Sequence, residues 1–498
     1  MKLNMKNLYI KAIAALLIGG SMASCGDKFL ETDMYKNVDL DTGLSTVSSI
    51  GNALNGTYYR LFQYYFAGNF ATMAGDLASD IAYWNGRTSH QDAIYRFAYT
   101  DTDISLKYIW EYGYKVADHS SRVIEAADHI YAAASDEEKA ELSLYKAEAF
   151  ALRAYSHFVL VNIFGHQVKV NGNDFSSKPG IVIIDAPIAA FTQVQRSTVG
   201  ETYTAILADL KNALTEFDKA GGDQGDLFYF NKASVYGLMA RVNLYLENYG
   251  DAINCAQDAI DESGITALTY EADAYKALYN GGASNKESIF ALAIDATNNW
   301  SANSCGTLWS TYDYSPSPYL LSLYSPNDVR LSIMGFNDEE STPAVPVFAG
   351  GKFASYGSGN PADATNYLIN APEMYLIKAE SYLKKDNDIT NAKDALLVVA
   401  KRNKDITSVN DLPADKNGLM KFIKEERARE LFQEGQRLYD LRRWDERANV
   451  YAIGAPAIKY TYTGYKISDM VFPIPVDEIN TGFGVSQNSD WRAGRPTK

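Results

Sequence analysis

Apolar side chains recur at three- and four-residue spacings through most of the chain. Ile50, Leu54, Tyr58 and Leu61 open the pattern, and that spacing predicts one face of an amphipathic helix. The same period predicts further helices over 108–131, 137–164, 200–219, 231–246, 249–262, 371–384, 390–401 and 419–434. Clusters of Gly, Asn, Asp and Pro separate them, as breaks between helices should.

Several of these helices form consecutive pairs with small residues where they would cross. In 231–260, Tyr236, Met239, Ala240, Ala252 and Ala259 fall where a tetratricopeptide repeat places its aromatic, leucine and small positions. Tyr375, Ala379 and Ala392 repeat the arrangement in 371–401 with one more residue in the loop. Stacked pairs bury faces that a lone pair leaves wet; a generic helical bundle would also account for the alanines. The expected fold is mainly α, a tetratricopeptide-like helical-repeat scaffold with long loop insertions and few short strands.

The stretch 419–444 reads as two helices joined at Gly435, the second with apolar residues at Leu438, Leu441 and Trp444. Glu426, Arg427, Glu430, Glu434 and Arg437 fall at i, i+3 and i+4 spacings, which place opposite charges side by side on a helix. Two carboxylates there could serve as an acid/base pair, but an ion-pair network between packed helices is the expected role, since no nucleophile or metal-ligand set accompanies them. The order Glu426, Arg427, Glu430, Leu431, Glu434, Gly435, Arg437, Asp440, Leu441, Arg443, Trp444 closely resembles the C-terminal signature of the SusD/RagB family.

Other segments carry the same resemblance. Ala147, Glu148, Ala149, Leu152, Arg153, Ala154 and Gly165 are similar to a family helix, and Pro473, Ile474, Pro475, Glu478, Ile479, Gln487 and Asn488 to its closing elements. The family's final Q-N-x-G-Y is QNSDW here. The resemblance implies a lipid-anchored outer-membrane protein, exposed at the cell surface. Its partner would be a SusC-like TonB-dependent transporter, and its ligand an oligosaccharide or, as in the RagB branch, a peptide.

The first residues fit that picture. Lys2 and Lys6 precede a short apolar run around 12–18, and Met22-Ala23-Ser24-Cys25 closes it. This is a secretory signal rather than a membrane span. The residues before Cys25 resemble a lipobox, so residues 1–24 are expected to be removed and Cys25 acylated; a plain secreted protein is the alternative. Residues 25–48 are polar and turn-rich, a tether. The parts 49–270 and 271–498 are then expected to form an N-terminal SusD-like half and a C-terminal RagB/SusD half of one unit.

Composition narrows the ligand. An apolar content of 47% over 498 residues supports a large core, and a net charge of −15 excludes nucleic acid as a natural partner. Tyrosine is abundant, 36 residues beside six tryptophans, and such rings offer flat apolar faces with polar edges. Most must fill core. Two turn-rich insertions hold aromatics that helix packing does not explain: 76–97, with Tyr83, Trp84, Asn85, Arg87 and His90, and 298–319, with Trp300, Trp309, Tyr312, Tyr314 and Tyr319. Helical scaffolds carry function on such insertions. Trp84 with Asn85 and Arg87, facing Trp300 and Trp309, would give platforms and hydrogen-bond partners for a sugar ring. The family resemblance implies the same location. The alternative is that these rings only pin long loops.

Evidence for catalysis is thin. There is no H-E-x-x-H and no paired C-x-x-C, and five scattered histidines give no metal-ligand spacing. Gly357–Ala362 fits G-x-G-x-x-A nominally, but Pro361 interrupts it and no strand precedes it. No cofactor, metal or catalytic residue is expected; a surface glycoside hydrolase and a scaffold binding only protein remain the alternatives. Cys255 reads as a buried helix residue and Cys305 as a loop residue, with a bridge between them left open.

Overall fold

Side-chain caps that the sequence supplies fix where the principal helices begin. The Asp103 carboxylate accepts from the amides of Ser105 and Leu106. Ser135 and Glu138 form a reciprocal capping box, as do Thr198 and Glu201, and Asn231 and Ser234. Each satisfies backbone donors that a helix start leaves unpaired. The computed structural model of the chain describes residues 43–343, 345–454 and 459–496. The expected signal segment, Cys25 and the tether as far as residue 42 lie outside these.

Among the described residues, eleven helices have eight residues or more. They are α1 (Val47–Phe62), α2 (Phe70–Leu77), α3 (Ile104–Tyr131), α4 (Asp136–Phe164), α5 (Val199–Ala220), α6 (Lys232–Tyr245) and α7 (Tyr249–Ser263). After a long irregular segment come α8 (Ala371–Lys385), α9 (Ile389–Ala400), α10 (Lys416–Glu430) and α11 (Arg437–Trp444). About 51% of the chain is helical, so the fold is mainly α, as the periodicity predicts. Helices α3, α4 and α5 pack in succession, α6 on α7, α7 on α8, and α8 on both α9 and α10. Ala240, Ala252, Ala259, Ala379 and Ala392 are fully buried at these crossings, where a missing side chain lets helix axes approach.

Among the described residues, eight short strands make four two-stranded antiparallel ribbons. They are β1 (Ala82–Trp84), β2 (Lys169–Val170), β3 (Asn173–Asp174), β4 (Ser288–Ala291), β5 (Tyr314–Pro316), β6 (Tyr367–Asn370), β7 (Arg447–Tyr451) and β8 (Tyr460–Lys466). The pairs are β1–β5, β2–β3, β4–β6 and β7–β8. Residues Thr46–Lys498 form one compact unit. Among the described residues no helix is long and apolar enough to cross a membrane.

Two expectations need correction. The helix predicted over 419–434 ends at Glu430, because Gln433 and Gly435 both adopt positive φ, 68° and 70°. The Gln433 side chain holds this turn from outside, accepting from the Lys352 amide at 2.8 Å and donating to the Gly350 carbonyl at 3.0 Å. The charged ladder also finds different partners from those its spacing predicts. Glu426 and Glu430 are like charges one turn apart, and the fully buried Arg330 bridges them at 2.8 and 2.9 Å. Arg402 reaches Glu430 at 2.9 Å, Arg427 makes a two-point pair with Asp440 on α11, Arg437 binds Asp80, and Lys352 binds Glu434 at 2.6 Å. Arg429 with Glu426, Lys421 with Glu425 and Arg443 with Asp440 do pair along their own helices. The signature is therefore an ion network that ties α10 and α11 to the rest of the fold.

Cys255 and Cys305 are both free and buried. Burial pushes each thiol up to about 12, which leaves them inert in ordinary thiol chemistry.

Candidate functional site

Ribbon β1–β5 brings the two insertions together. Tyr83 sits opposite Ser315 and Trp84 opposite Tyr314, and the Asn85 amide extends the pairing to the Asp313 carbonyl at 2.8 Å. The Asp313 carboxylate is fully buried. It accepts from the amides of Thr88 and His90 at 2.7 and 3.2 Å and from the Thr88 hydroxyl. A carboxylate with three such donors needs no counter-ion to hold its loop in place.

Most of the predicted aromatics turn inward at this junction. Trp84 is 7% exposed and donates its indole N–H to the Thr88 carbonyl at 3.1 Å. Trp309 is 1% exposed, its N–H against the Met73 sulfur at 2.8 Å and its ring edge-on to Phe432. Tyr314 is likewise buried, donating to the His90 carbonyl. The Tyr83 hydroxyl accepts from the Gly454 amide, and the Asn85 amide group donates to the Pro346 carbonyl at 2.9 Å. These five pin the loops to each other and present no open ring face, which departs from the platform expected of Trp84 and Trp309.

Two groups do reach the surface. Tyr312 stacks on His90, ring centres 4.6 Å apart and planes 14° from parallel. Arg87 stands in the same loop, partly exposed, with Glu340 at 3.2 Å. Trp300 is half-buried, anchored by its N–H to the Phe62 carbonyl at 3.0 Å. It lies 5.6 Å from Tyr64 and 6.3 Å from Tyr59, and Tyr59 is 53% exposed.

From Tyr64 a row of rings continues. Tyr64 and Tyr65 lie 3.9 Å apart; Tyr65 in turn meets Tyr108 at 4.1 Å and Tyr112 at 4.8 Å, both on α3. The Lys115 ammonium sits 4.3 Å over the Tyr112 ring, a favourable cation–ring contact. All of these tyrosines are partly or largely exposed. The turn 63–69 sets the row's geometry. It folds back on itself so tightly that a side chain at Gly68 would meet the Phe62 carbonyl at 2.3 Å. Burial and the neighbouring Tyr65 hydroxyl push the Tyr64 phenol up.

Trp300 is thus the only predicted tryptophan brought into this row. Tyr59, Tyr64, Tyr65, Tyr108 and Tyr112 escaped the sequence reading. The signal for two of them was present: Tyr64-Tyr65 stand in QYYFAGN, an aromatic pair inside a Gly/Asn turn. Among the described residues, no cluster of three or more His, Cys, Asp or Glu is arranged to hold a metal.

The described residues thus combine stacked helix pairs, a partly open aromatic row and a buried ionic network on the C-terminal helices. Two family models match the chain. One, described as starch-binding associating with outer membrane, covers residues 28–244, and the other, described as SusD family, covers 351–491. The chain belongs to the SusD/RagB family.

Relatives agree. The chain is 24% identical to SusD-like protein P38 of Formosa agariphila over 360 residues, 61% of this chain and 67% of that protein. It is 24% identical to SusD-like protein P2 of the same organism, spanning about half of that relative's length, 53%. A SusD superfamily protein from Bacteroides thetaiotaomicron superposes with a TM-score of 0.75 at 24% identity, over 89% of this chain and 99% of that one. A SusD-like carbohydrate binding protein from Bacteroides vulgatus gives 0.68 at 18% identity, over 82% and 85%.

Proposed function

We propose that this chain is a non-enzymatic, surface-exposed receptor that captures oligosaccharides and delivers them to a SusC-like TonB-dependent transporter. The observation that carries the reading is the row Tyr59, Trp300, Tyr64, Tyr65, Tyr108 and Tyr112, six adjoining rings that are partly open to solvent. Sugar rings present apolar CH faces that pack on such surfaces while their hydroxyls bond at the edges. Phenol hydroxyls supply those edges here, with Lys115 beside Tyr112. Outer-membrane association in the matching family description supports the location. Acylation of Cys25 would provide the anchor, and a single acyl chain binds a membrane only weakly, so further chains on the same cysteine would be needed for lasting attachment.

Calorimetry with a panel of neutral oligosaccharides tests the site. The double variant Tyr64→Ala/Tyr65→Ala should weaken binding about tenfold or more, at about 1 kcal/mol per lost ring contact. Trp84→Ala should act on stability instead. Unchanged affinity in the tyrosine variant would remove the row as the site, and release of reducing sugar would remove the receptor reading itself.

A further inference from the structure

A cleft of about 710 Å³ opens beside α10, α11 and β7. Three elements each turn one face toward it. Helix α10 contributes Asn417, Lys421 and Lys424 at helical spacing, and α11 contributes Arg437, Leu441 and Trp444. Strand β7 contributes Arg447, Asn449 and Tyr451, alternate residues of one strand face. Tyr319 and Tyr460 complete the wall, with Tyr460 40% exposed and 5.0 Å from Tyr451. The size is that of ordinary small-ligand pockets.

The cleft's charges are mostly matched in pairs. Arg437 binds Asp80 at two points, 2.7 and 2.9 Å, Lys424 binds Glu446, and Lys421 reaches Glu425 at 3.8 Å. Arg447 is the cation left over. It is exposed and donates to the Gly464 carbonyl at 2.7 Å, and among the described residues no carboxylate lies within ion-pair distance of it. On a chain of net charge −15, an uncompensated guanidinium at the wall of a tyrosine-lined cleft is a local reversal of sign. A guanidinium's planar fork matches a carboxylate better than any neutral group.

We infer that this cleft is a second saccharide subsite, selective for a sugar bearing a carboxylate, with Arg447 as the group that reads the charge and the tyrosines as the platform. The sugar half of the assignment rests on the receptor function proposed above; the carboxylate half rests on Arg447 alone. The cleft is lined by none of the rings of the Tyr64–Tyr65 row, so the two sites are separable by substitution.

Titration of the full-length protein with a trisaccharide of hexuronic acid, and with the same trisaccharide after reduction of its carboxyl groups, tests the inference. The acidic form should bind about tenfold tighter, and the preference should shrink as salt is raised. Arg447→Ala should abolish the preference, Arg447→Lys should restore part of it, and Tyr64→Ala/Tyr65→Ala should leave it intact. Arg447 is exposed, so a matched melting curve will show that the variant folds. Equal affinity for the two forms, or a preference that survives Arg447→Ala, overturns the inference. Equal competition by a short peptide with a free C-terminus overturns the saccharide assignment. Loss of neutral-glycan binding in the tyrosine variant with the acidic preference kept would show the two sites to be independent. A neutral-glycan site that fails while the acidic preference holds sinks only the first reading.

Discussion

Arg330 has no exposed side-chain surface and contacts three carboxylates: Asp328 at 2.8 and 2.9 Å, Glu426 at 2.8 Å and Glu430 at 2.9 Å. Glu430 is shared with Arg402. Desolvating so many charges costs several kcal/mol per ion, and their mutual attraction offsets it only while every partner is present. Arg330→Ala would take the cation from Asp328 and leave Glu426 with Arg429 alone and Glu430 with Arg402 alone, all in the interior. The expected loss is about 3–5 kcal/mol, read as a lower urea midpoint at unchanged slope. A loss under about 1 kcal/mol, the range of exposed pairs, would show that water reaches the network. The same residue scale explains why loop aromatics were hard to assign from sequence. Trp84 and Trp300 both stand in polar, turn-rich segments, yet one ring is 7% exposed and the other is half-open. What separates them is the partner of the indole N–H and the side of the loop it lies on, and neither is written in local composition.

At the scale of elements, the turn between α10 and α11 meets α2 backbone to backbone. Gly435 has φ +70°, and a side chain there would stand 1.8 Å from the Thr72 carbonyl; one at Gly75 would stand 1.9 Å from the Gly435 carbonyl. Gly435→Ala should therefore cost about 3 kcal/mol or more, among the larger single-residue effects. Gly264→Ala is the control, with a similar φ of +65° but open space around it, and should cost only the left-handed penalty of about 1–2 kcal/mol. Thermal melting of both variants measures the difference, and equal shifts would mean that α2 yields to the added methyl. The long helices and Gly435 itself were legible in the sequence because a 3.6-residue period and a Gly-marked break are local signals. Helix α2 was not, since its eight residues make only about two turns, too short a stretch for a periodic signal, and the buried Gly75 and Asp76 break its apolar run. The strands run to seven residues at most, and β1 with β5 and β4 with β6 pair across long sequence separations. The ion partners were missed for the same reason: Arg330, Arg402 and Asp80 are remote from 419–444 in sequence and meet it only in the fold.

Over the whole molecule, buried carboxylates divide into two groups that respond oppositely to pH. Burial alone would push Glu380 and Glu426 up, but Arg443 outweighs it at the first and Arg330 with Arg429 at the second, holding each at about 2. Below the ordinary carboxylate range of about 4, the unfolded chain binds more protons than the folded one at these sites. Stability therefore falls as pH drops from about 4.5 toward 2. Asp76 and Glu148 lie on the other side. Burial pushes Asp76 up to about 7 beside the amides of Gly435, Arg437 and Gln433, and Glu148 up to about 7 despite its bonds to Gln224 and Tyr58. Here the folded chain holds the extra proton between about pH 4 and 7, so stability declines as pH rises through that window and levels off above it. Each group contributes at most about 3–4 kcal/mol to the decline. The surplus of 61 acidic over 46 basic residues acts in the same direction, because self-repulsion grows as carboxylates ionise. Stability should therefore peak near pH 4.5–5 rather than at neutrality. Urea unfolding across pH 3–8 measures this, and Asp76→Asn with Glu148→Gln should flatten the limb between pH 5 and 7 while leaving the acid limb in place. A wild-type profile that is level from pH 5 to 7.5, or a limb that persists in the double variant, would show that these two carboxylates are not the groups that hold their protons in the fold.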